Sequence, residues 1–316
     1  MARRIERFCW LGILEVGSPI TDNTLTPREL AEKYGLKPVG VRPKLTEYVR
    51  SVKDRFEFLT VLASSRAQAG NQSTYLGQLW TILTPLLNSI VYVLIFGILL
   101  NSRRGMDNAI GFIVVGTFTY NLFSTTVTDM AKSIRSNIKL VQSLTFPRVI
   151  LPLSTALKDV MIAIPGFAVM FVLAQLSIWH AQGGSMLLPH RWILVVPAIL
   201  IFAVFAAGVG MVFANFTSRF PDTVKFLPFV LRLTMYMSGV IFSISHQLEN
   251  SHGTITVLLE HQPVAVYLNL FRQAVLNEQS IPLHAGMWLE GLAWAVGVFL
   301  IGFIVFWRDE ARYGRE

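Results

Sequence analysis

The sequence predicts an all-α membrane protein that crosses the bilayer several times, and three observations carry that expectation. Hydrophobic residues make up 53% of the 316-residue chain and charged residues only 15%, where soluble chains carry about 25% charge. The mean hydropathy is +0.52. The apolar residues are also clustered: no Asp, Glu, Lys or Arg occurs between Arg66 and Arg103, Asp107 and Asp129, Asp159 and Arg191, or Arg191 and Arg219. Each gap reaches the roughly 20 residues that a helix needs to cross a bilayer.

Six spans are expected, over residues 80–100, 109–129, 158–179, 192–214, 226–244 and 287–307. All should be helices, because lipid leaves the hydrogen bonds of an open sheet edge unmet. Pro85, Pro165, Pro197 and Pro228 fall inside them. Neighbouring helices make such prolines tolerable by re-satisfying the freed carbonyls. Basic residues crowd one side: Arg3 to Arg66 before the first span, then Lys132, Arg135, Lys139 and Arg148, then Arg219 and Lys225, and finally Arg308, Arg312 and Arg315. The other side holds only Arg103, Arg104, Arg191 and Arg272. Positive residues stay cytoplasmic, so both termini are expected inside a multi-pass plasma-membrane protein. The net charge of +8 is then a topology signal, and no nucleic-acid partner is expected.

Other chemistry is thinly represented. Cys9 is the one cysteine, so neither a disulfide framework nor a thiolate metal cluster is expected. His180, His190, His246, His252, His261 and His284 all fall on the outer side without ligand spacing. No apolar run with a cleavage site precedes the first span, so no signal peptide is expected. Residues 1–44 form a cytoplasmic extension, with a capped helix starting at Thr26-Pro27-Arg28-Glu29 and a linker at Pro38–Pro43. Residues 45–307 form the membrane domain and 308–316 the cytoplasmic tail.

Two cytoplasmic segments are periodic. Over 45–63, Leu45, Tyr48, Val49, Val52, Phe56, Leu59 and Ala63 share a helical face opposite Glu47, Arg50, Lys53, Asp54 and Glu57. Such a helix is too charged to cross and suits either the membrane interface or a cytosolic partner. Over 130–144, Met130, Ile134, Ile138, Val141 and Leu144 oppose Lys132, Arg135, Asn137, Lys139 and Gln142, and Pro147 stops the helix.

Inside the membrane, Arg232 stands seven residues beyond Lys225, roughly 10 Å deep at about 1.5 Å per residue. It either snorkels to the headgroups or binds a phosphate through its planar fork. Lys158 and Asp159 stand at the entrance to the third span. Adjacent residues do not face each other on a helix, so they are expected to anchor the boundary separately. Tyr92, Phe96, Phe112, Phe118, Tyr120, Phe123, Phe226, Phe229, Tyr236 and Phe242 recur along the first, second and fifth spans. Of these, Tyr92, Phe118, Phe123, Phe229 and Tyr236, with Arg232, are the candidates to line a substrate path. Lipid-facing aromatics and interfacial belts account for such residues equally well.

Several short motifs, in order, resemble the permease subunits of type-2 ABC exporters, in the branch that exports O-antigen, teichoic acid or galactan. They are Tyr75-Leu76-Gly77-Gln78-Leu79-Trp80 with Thr84-Pro85-Leu86, Phe146-Pro147-Arg148 with Leu151-Pro152-Leu153, Arg219-Phe220-Pro221-Asp222, and Gln262-Pro263-Val264 with Leu270-Phe271-Arg272. Two departures stand out: Gly70-Asn71-Gln72-Ser73 replaces a basic, tyrosine-rich stretch, and Gln262 replaces an asparagine. The resemblance implies a homodimer of permeases joined by two copies of a separate ATP-binding subunit, which would hold ATP and magnesium. This chain has no G-x-x-x-x-G-K-[ST] loop, and no cofactor is expected in it. The resemblance also makes 45–63 an interface helix and places short re-entrant helices in 250–283. It makes 130–144 the coupling contact, through Lys132, Arg135, Asn137 and Lys139 with Arg50 and Lys53. The implied cargo is a lipid-linked polysaccharide. A drug or small lipid is the alternative cargo. A membrane-embedded glycolipid enzyme fits less well, since Asp129, Asp159 and Glu290 are unpaired acids near span ends in the sequence.

Overall fold

A computed structural model of the chain describes residues 43–70, 75–77, 79–95, 108–181, 189–244, 253–276 and 281–313. The expected features of residues 1–42, with Cys9 and the capped helix, lie outside the described residues, as do His246 and His252. The described residues are helical, with no strand among them.

The chain enters through α1 (Leu45–Asp54) and α2 (Phe56–Ala69). The expected single helix over 45–63 is thus two, broken at Arg55, whose φ of −109° leaves the helical region. Next come α3 (Leu79–Tyr92), α4 (Ala109–Lys132), a 3₁₀ turn at Arg135–Asn137 and α5 (Ile138–Ser143). The expected continuous helix over 130–144 is therefore three short pieces. The serine and asparagine side chains at its centre compete for backbone groups there: Ser136 Oγ donates to Lys132 O at 3.0 Å and Asn137 Nδ2 to Ser133 O at 2.6 Å.

The remaining elements are α6 (Ile150–Ala181), α7 (Val195–Arg219), α8 (Thr223–Met237), α9 (Gly253–Glu260), α10 (Pro263–Val275) and α11 (Ala285–Arg308). Four helices are long and apolar enough to cross a membrane: Ala109–Lys132, Ile150–Trp179, Arg191–Arg219 and Ala285–Arg308. The first and fifth expected spans correspond to shorter helices, α3 and α8. The third begins at Ile150, eight residues before the expected start. Lys158 and Asp159 therefore lie two turns inside it.

Helix α4 is the hub. Of its apolar window 78% is buried, against 22% for α11, and it packs on α3, α6, α7, α8 and α10. Asn108 caps it, its Oδ1 accepting from Gly111 N at 3.0 Å. The central layer is aromatic, with Phe123 stacked on Phe205 at 5.7 Å and Phe167 on Phe271 at 5.4 Å. Helices α7 and α11 pack backbone to backbone, because Gly208 and Gly302 carry no side chain between them. A Cβ on Gly208 would lie 2.6 Å from Phe299 N, and one on Gly302 would meet the Gly208 carbonyl.

Candidate substrate path and coupling surface

At one end of the molecule, the C-terminal turn after α11 ties four segments together. Tyr48 of α1 donates its hydroxyl to Glu310 Oε2 at 2.7 Å, and Arg148 N donates to Glu310 Oε1 at 2.9 Å. Asn215 of α7 donates to Asp309 Oδ2 at 2.5 Å and to the Tyr313 hydroxyl at 2.7 Å, while Arg219 pairs with Asp309 at 2.6 Å. Trp307 Nε1 donates to Pro43 O at 3.0 Å. Beneath lie Met130, Ile134, Met211 and Phe306. Burial and the neighbouring Glu310 charge push the Tyr48 phenol well up, and burial raises Glu310 above its usual range despite bonds from Arg148 and Tyr48. Burial would also raise Asp309, but the Asn215 and Arg219 hydrogen bonds outweigh it and hold the carboxyl below its usual value.

The coupling candidates surround this end. Arg50, Lys53, Lys132, Arg135 and Lys139 are exposed. Arg135 lines a cleft of about 550 Å³ with Ile138, Arg219 and Arg312. Asn137 is turned inward instead, where Arg66 Nη2 donates to its Oδ1 at 2.6 Å and pins α2 to the 3₁₀ turn. Burial pulls the Arg66 guanidinium below its usual pKa.

Deeper, Lys158 Nζ lies 2.6 Å from Asp129 Oδ2 and 2.8 Å from Asp159 Oδ1. This corrects the expectation that Lys158 and Asp159 act separately: the long lysine stem spans the angle between neighbouring Cβ directions and brings both acids to one ammonium. Asp129 and Asp159 are thus gathered across α4 and α6, which spacing in the sequence did not foretell. On one side of the triad is a cavity of about 320 Å³ lined by Arg66, Lys132, Asn137 and Lys158. On the other, a cavity of about 480 Å³ between α3, α4 and α6 is lined by Trp80, Thr84, Phe118, Asn121, Thr125 and Asp159 among others.

The path candidates divide. Tyr92 of α3 donates to Met235 Sδ of α8 at 3.6 Å, and Arg232 and Tyr236 lie within electrostatic reach of it. Phe229 is 67% exposed on the same helix. Arg232 is exposed and forms no ion pair among the described residues. Phe118 is buried against the larger cavity. Phe123 stands apart, enclosed in the aromatic layer between Phe202 and Phe205.

On the other side of the molecule, α10 clamps the end of α8. Arg272, 2% exposed, donates to Gly239 O at 2.9 Å and Val240 O at 3.0 Å, with its guanidinium 3.4 Å from the Phe112 ring centroid. Gln262 Nε2 donates to Met237 O at 2.5 Å. Arg272, an outer-loop charge by its place in the sequence, here satisfies carbonyls beyond the last turn of a helix that ends through Gly239 at φ +67°. Tyr120 also donates to the Leu231 carbonyl. His261 Nδ1 is 2.9 Å from Glu290 Oε2, and no metal-holding cluster occurs among the described residues.

Residues 57–276 match the ABC-2 type transporter family. The chain belongs to that family. It is 24% identical over 229 residues to an O-antigen export system permease protein RfbA of Klebsiella pneumoniae, covering 72% of this chain and 85% of that one. A second O-antigen export permease, from Myxococcus xanthus, is 24% identical over 74% of this chain and 86% of its own. The polysialic acid transport protein KpsM of Escherichia coli is 22% identical over 64% and 74%.

Proposed function

We propose that this ABC-2 transporter chain is the membrane subunit of an ATP-driven exporter that moves a lipid-linked polysaccharide from the cytoplasm across the plasma membrane. The observation that carries the reading is the family match over residues 57–276, joined by relatives whose names are those of O-antigen and polysialic acid exporters. Two copies of the chain work with two copies of an ATP-binding subunit, which holds ATP and magnesium. The chain performs no hydrolysis itself.

In this reading the chain spans six times, α3 and α8 being the first and fifth spans, with both termini cytoplasmic. Leu45, Val49, Phe56 and Val61 are 39–64% exposed, which supports α1 and α2 lying in the membrane interface. Helices α9 and α10 are the re-entrant pair. Tyr92, Arg232 and Tyr236, close to one another on α3 and α8, with Phe229, flank the path. Arg232 meets the passing phosphate of the carrier, its fork free of carboxylates among the described residues. Lys132, Arg135 and Lys139, with Arg50 and Lys53, meet the ATP-binding subunit, while Asn137, bonded to Arg66, holds the turn in place. Because the turn and α5 join α4 directly to α6, a push on them displaces both helices.

Depleting the protein in its own cells tests the reading. Lipid-linked glycan should accumulate inside and surface glycan should fall. Unchanged surface glycan with altered drug or lipid efflux would favour the alternative cargo, and sustained ATP turnover by this purified chain alone would end the proposal.

A further inference from the structure

Two basic side chains, at the ends of α2 and α4, have no acid to balance them. Arg66, in the last turn of α2, is half-buried, and among the described residues its guanidinium makes one side-chain bond, to Asn137 Oδ1 at 2.6 Å, and no ion pair. A guanidinium carries five N–H donors, so most of this fork is unused. Lys132, in the last turn of α4, is exposed and forms no ion pair there either. Both line the cavity of about 320 Å³ beside the triad, with Ser136, Thr155 and Lys158 among others. Asp129 lines it as well, but Asp129 and Asp159 already hold the Lys158 ammonium at 2.6 and 2.8 Å. The hydroxyl protons are engaged too: Ser136 Oγ donates to Lys132 O at 3.0 Å and Thr155 Oγ1 to Leu151 O at 2.9 Å. What the cavity offers a ligand is therefore positive charge and N–H donors.

We propose that this cavity binds a phosphate group through the fork of Arg66 and the ammonium of Lys132, either the headgroup of an anionic membrane lipid or a free phosphate. Arginine matches phosphate oxygens with two parallel N–H donors, and lysine adds a point charge. A volume of about 320 Å³ stands at the lower end of small-ligand pockets, about 300–1,000 Å³, and suits one headgroup rather than a protein segment. The proposal rests on the exporter reading only in setting this end of α2 at the cytoplasmic headgroups, where anionic lipids draw basic residues. Phe56 and Val61 of α2, 59% and 64% exposed, fit that level. None of the path candidates lines the cavity, so the site is separate from the path along α3 and α8. Lys132 serves this cavity as well as the coupling face. Because α2 packs on α6, a phosphate held by Arg66 and Lys132 joins α2 to the end of α4 just ahead of the turn at Arg135–Asn137.

The test uses the full-length chain, alone and assembled with its ATP-binding subunit, stripped of lipid in detergent. It is titrated with dioleoylphosphatidylglycerol, dioleoylphosphatidylcholine or inorganic phosphate while native mass spectrometry counts the bound copies. One phosphatidylglycerol per chain should bind more tightly than phosphatidylcholine, whose choline cation opposes Arg66 and Lys132, and inorganic phosphate should displace it. Arg66→Gln should weaken that copy roughly tenfold, the loss of about one charge-assisted hydrogen bond. Arg66→Lys should weaken it less. If Arg66→Gln does not fold, Lys132→Gln, which removes no bond to a described residue, carries the same expectation. Arg308→Gln, exposed at the end of α11, should leave the copy unchanged. Inorganic phosphate that binds as tightly as the lipid, with the same losses in the variants, supports the site and assigns it to free phosphate. Equal binding of the two lipids, or phosphatidylglycerol binding that Arg66→Gln and Lys132→Gln leave intact, overturns the proposal. So does loss of the lipid on assembly with the ATP-binding subunit, which gives the cavity to an acidic segment of that partner. A chain that binds the lipid as expected but exports no glycan in proteoliposomes ends the exporter reading alone.

Discussion

Two regions of the molecule handle buried polar groups in opposite ways. At the C-terminal turn, Tyr48, Arg148, Asn215, Arg219, Asp309 and Glu310 meet one another at 2.5–2.9 Å. Beside α3, Asp159 shares the Lys158 ammonium with Asp129, and Asn121 lines a cavity without a side-chain bond to a described residue. The packing differs in step. Helix α3 shows 46–49% of Leu87, Ile90 and Val91, and α8 shows 62–67% of Phe226 and Phe229, whereas Tyr48 and Phe306 are fully enclosed. Buried polar groups cost the same in either place. Where they are mutually satisfied they tie separate segments into one frame. Where they are left open, as at Asn121, a polar side chain faces a cavity instead of another segment.

The largest effect should come from breaking the frame's tightest packing. Gly302→Leu puts a side chain where the Gly208 carbonyl lies, and overpacking of this kind costs about 3 kcal/mol or more. Folded protein should be nearly absent by detergent-solubilised size-exclusion chromatography, while Gly297→Leu, with open space around it, should fold.

Next is Glu310→Ala, which leaves the Tyr48 hydroxyl and Arg148 N without their acceptor and should cost about 2–3 kcal/mol. Thermal melting across pH sharpens this. Because burial raises the folded carboxyl above its ordinary 4.5, its contribution to stability is fully present below that value and is lost as pH rises through the folded pKa. Asp309, held low, acts oppositely: its contribution is present above the ordinary carboxylate range and is lost as pH falls below it. Wild type should therefore gain stability on mild acidification and lose it on further acidification, and Glu310→Gln should abolish the gain. A gain that persists in Glu310→Gln would remove this account.

Reversing Arg135 and Lys139 to glutamate, with topology checked by reporter fusions, should cut export roughly tenfold, about 1.4 kcal/mol in coupling. The complex should weaken or hydrolyse ATP without transport. Export at the wild-type rate would show that these charges serve only to orient the chain. The smallest effect belongs to the open region: Arg232→Lys keeps charge and snorkelling but loses the planar fork. Export should fall a few-fold, about 1 kcal/mol, at equal protein levels; no change would leave Arg232 as a headgroup anchor.

What the sequence by itself determined is the part written in local composition and period. Charge-free stretches required helices, and alternating faces at 45–63 and 130–144 located amphipathic helical segments, although not the breaks at Arg55 and Ser136. The short motifs pointed to the ABC-2 family, which the match over 57–276 bears out. The tertiary structure decided the rest. Tyr48 meets Glu310 across 262 positions, Lys158 gathers Asp129 from another helix, and Arg272 turns from an outer-loop charge into a clamp on carbonyls of α8. A helix's own period says which residues share a face. It says nothing of how that face is rotated against a neighbour, because rotation is set by interhelical packing, as where Gly208 lets α7 approach α11.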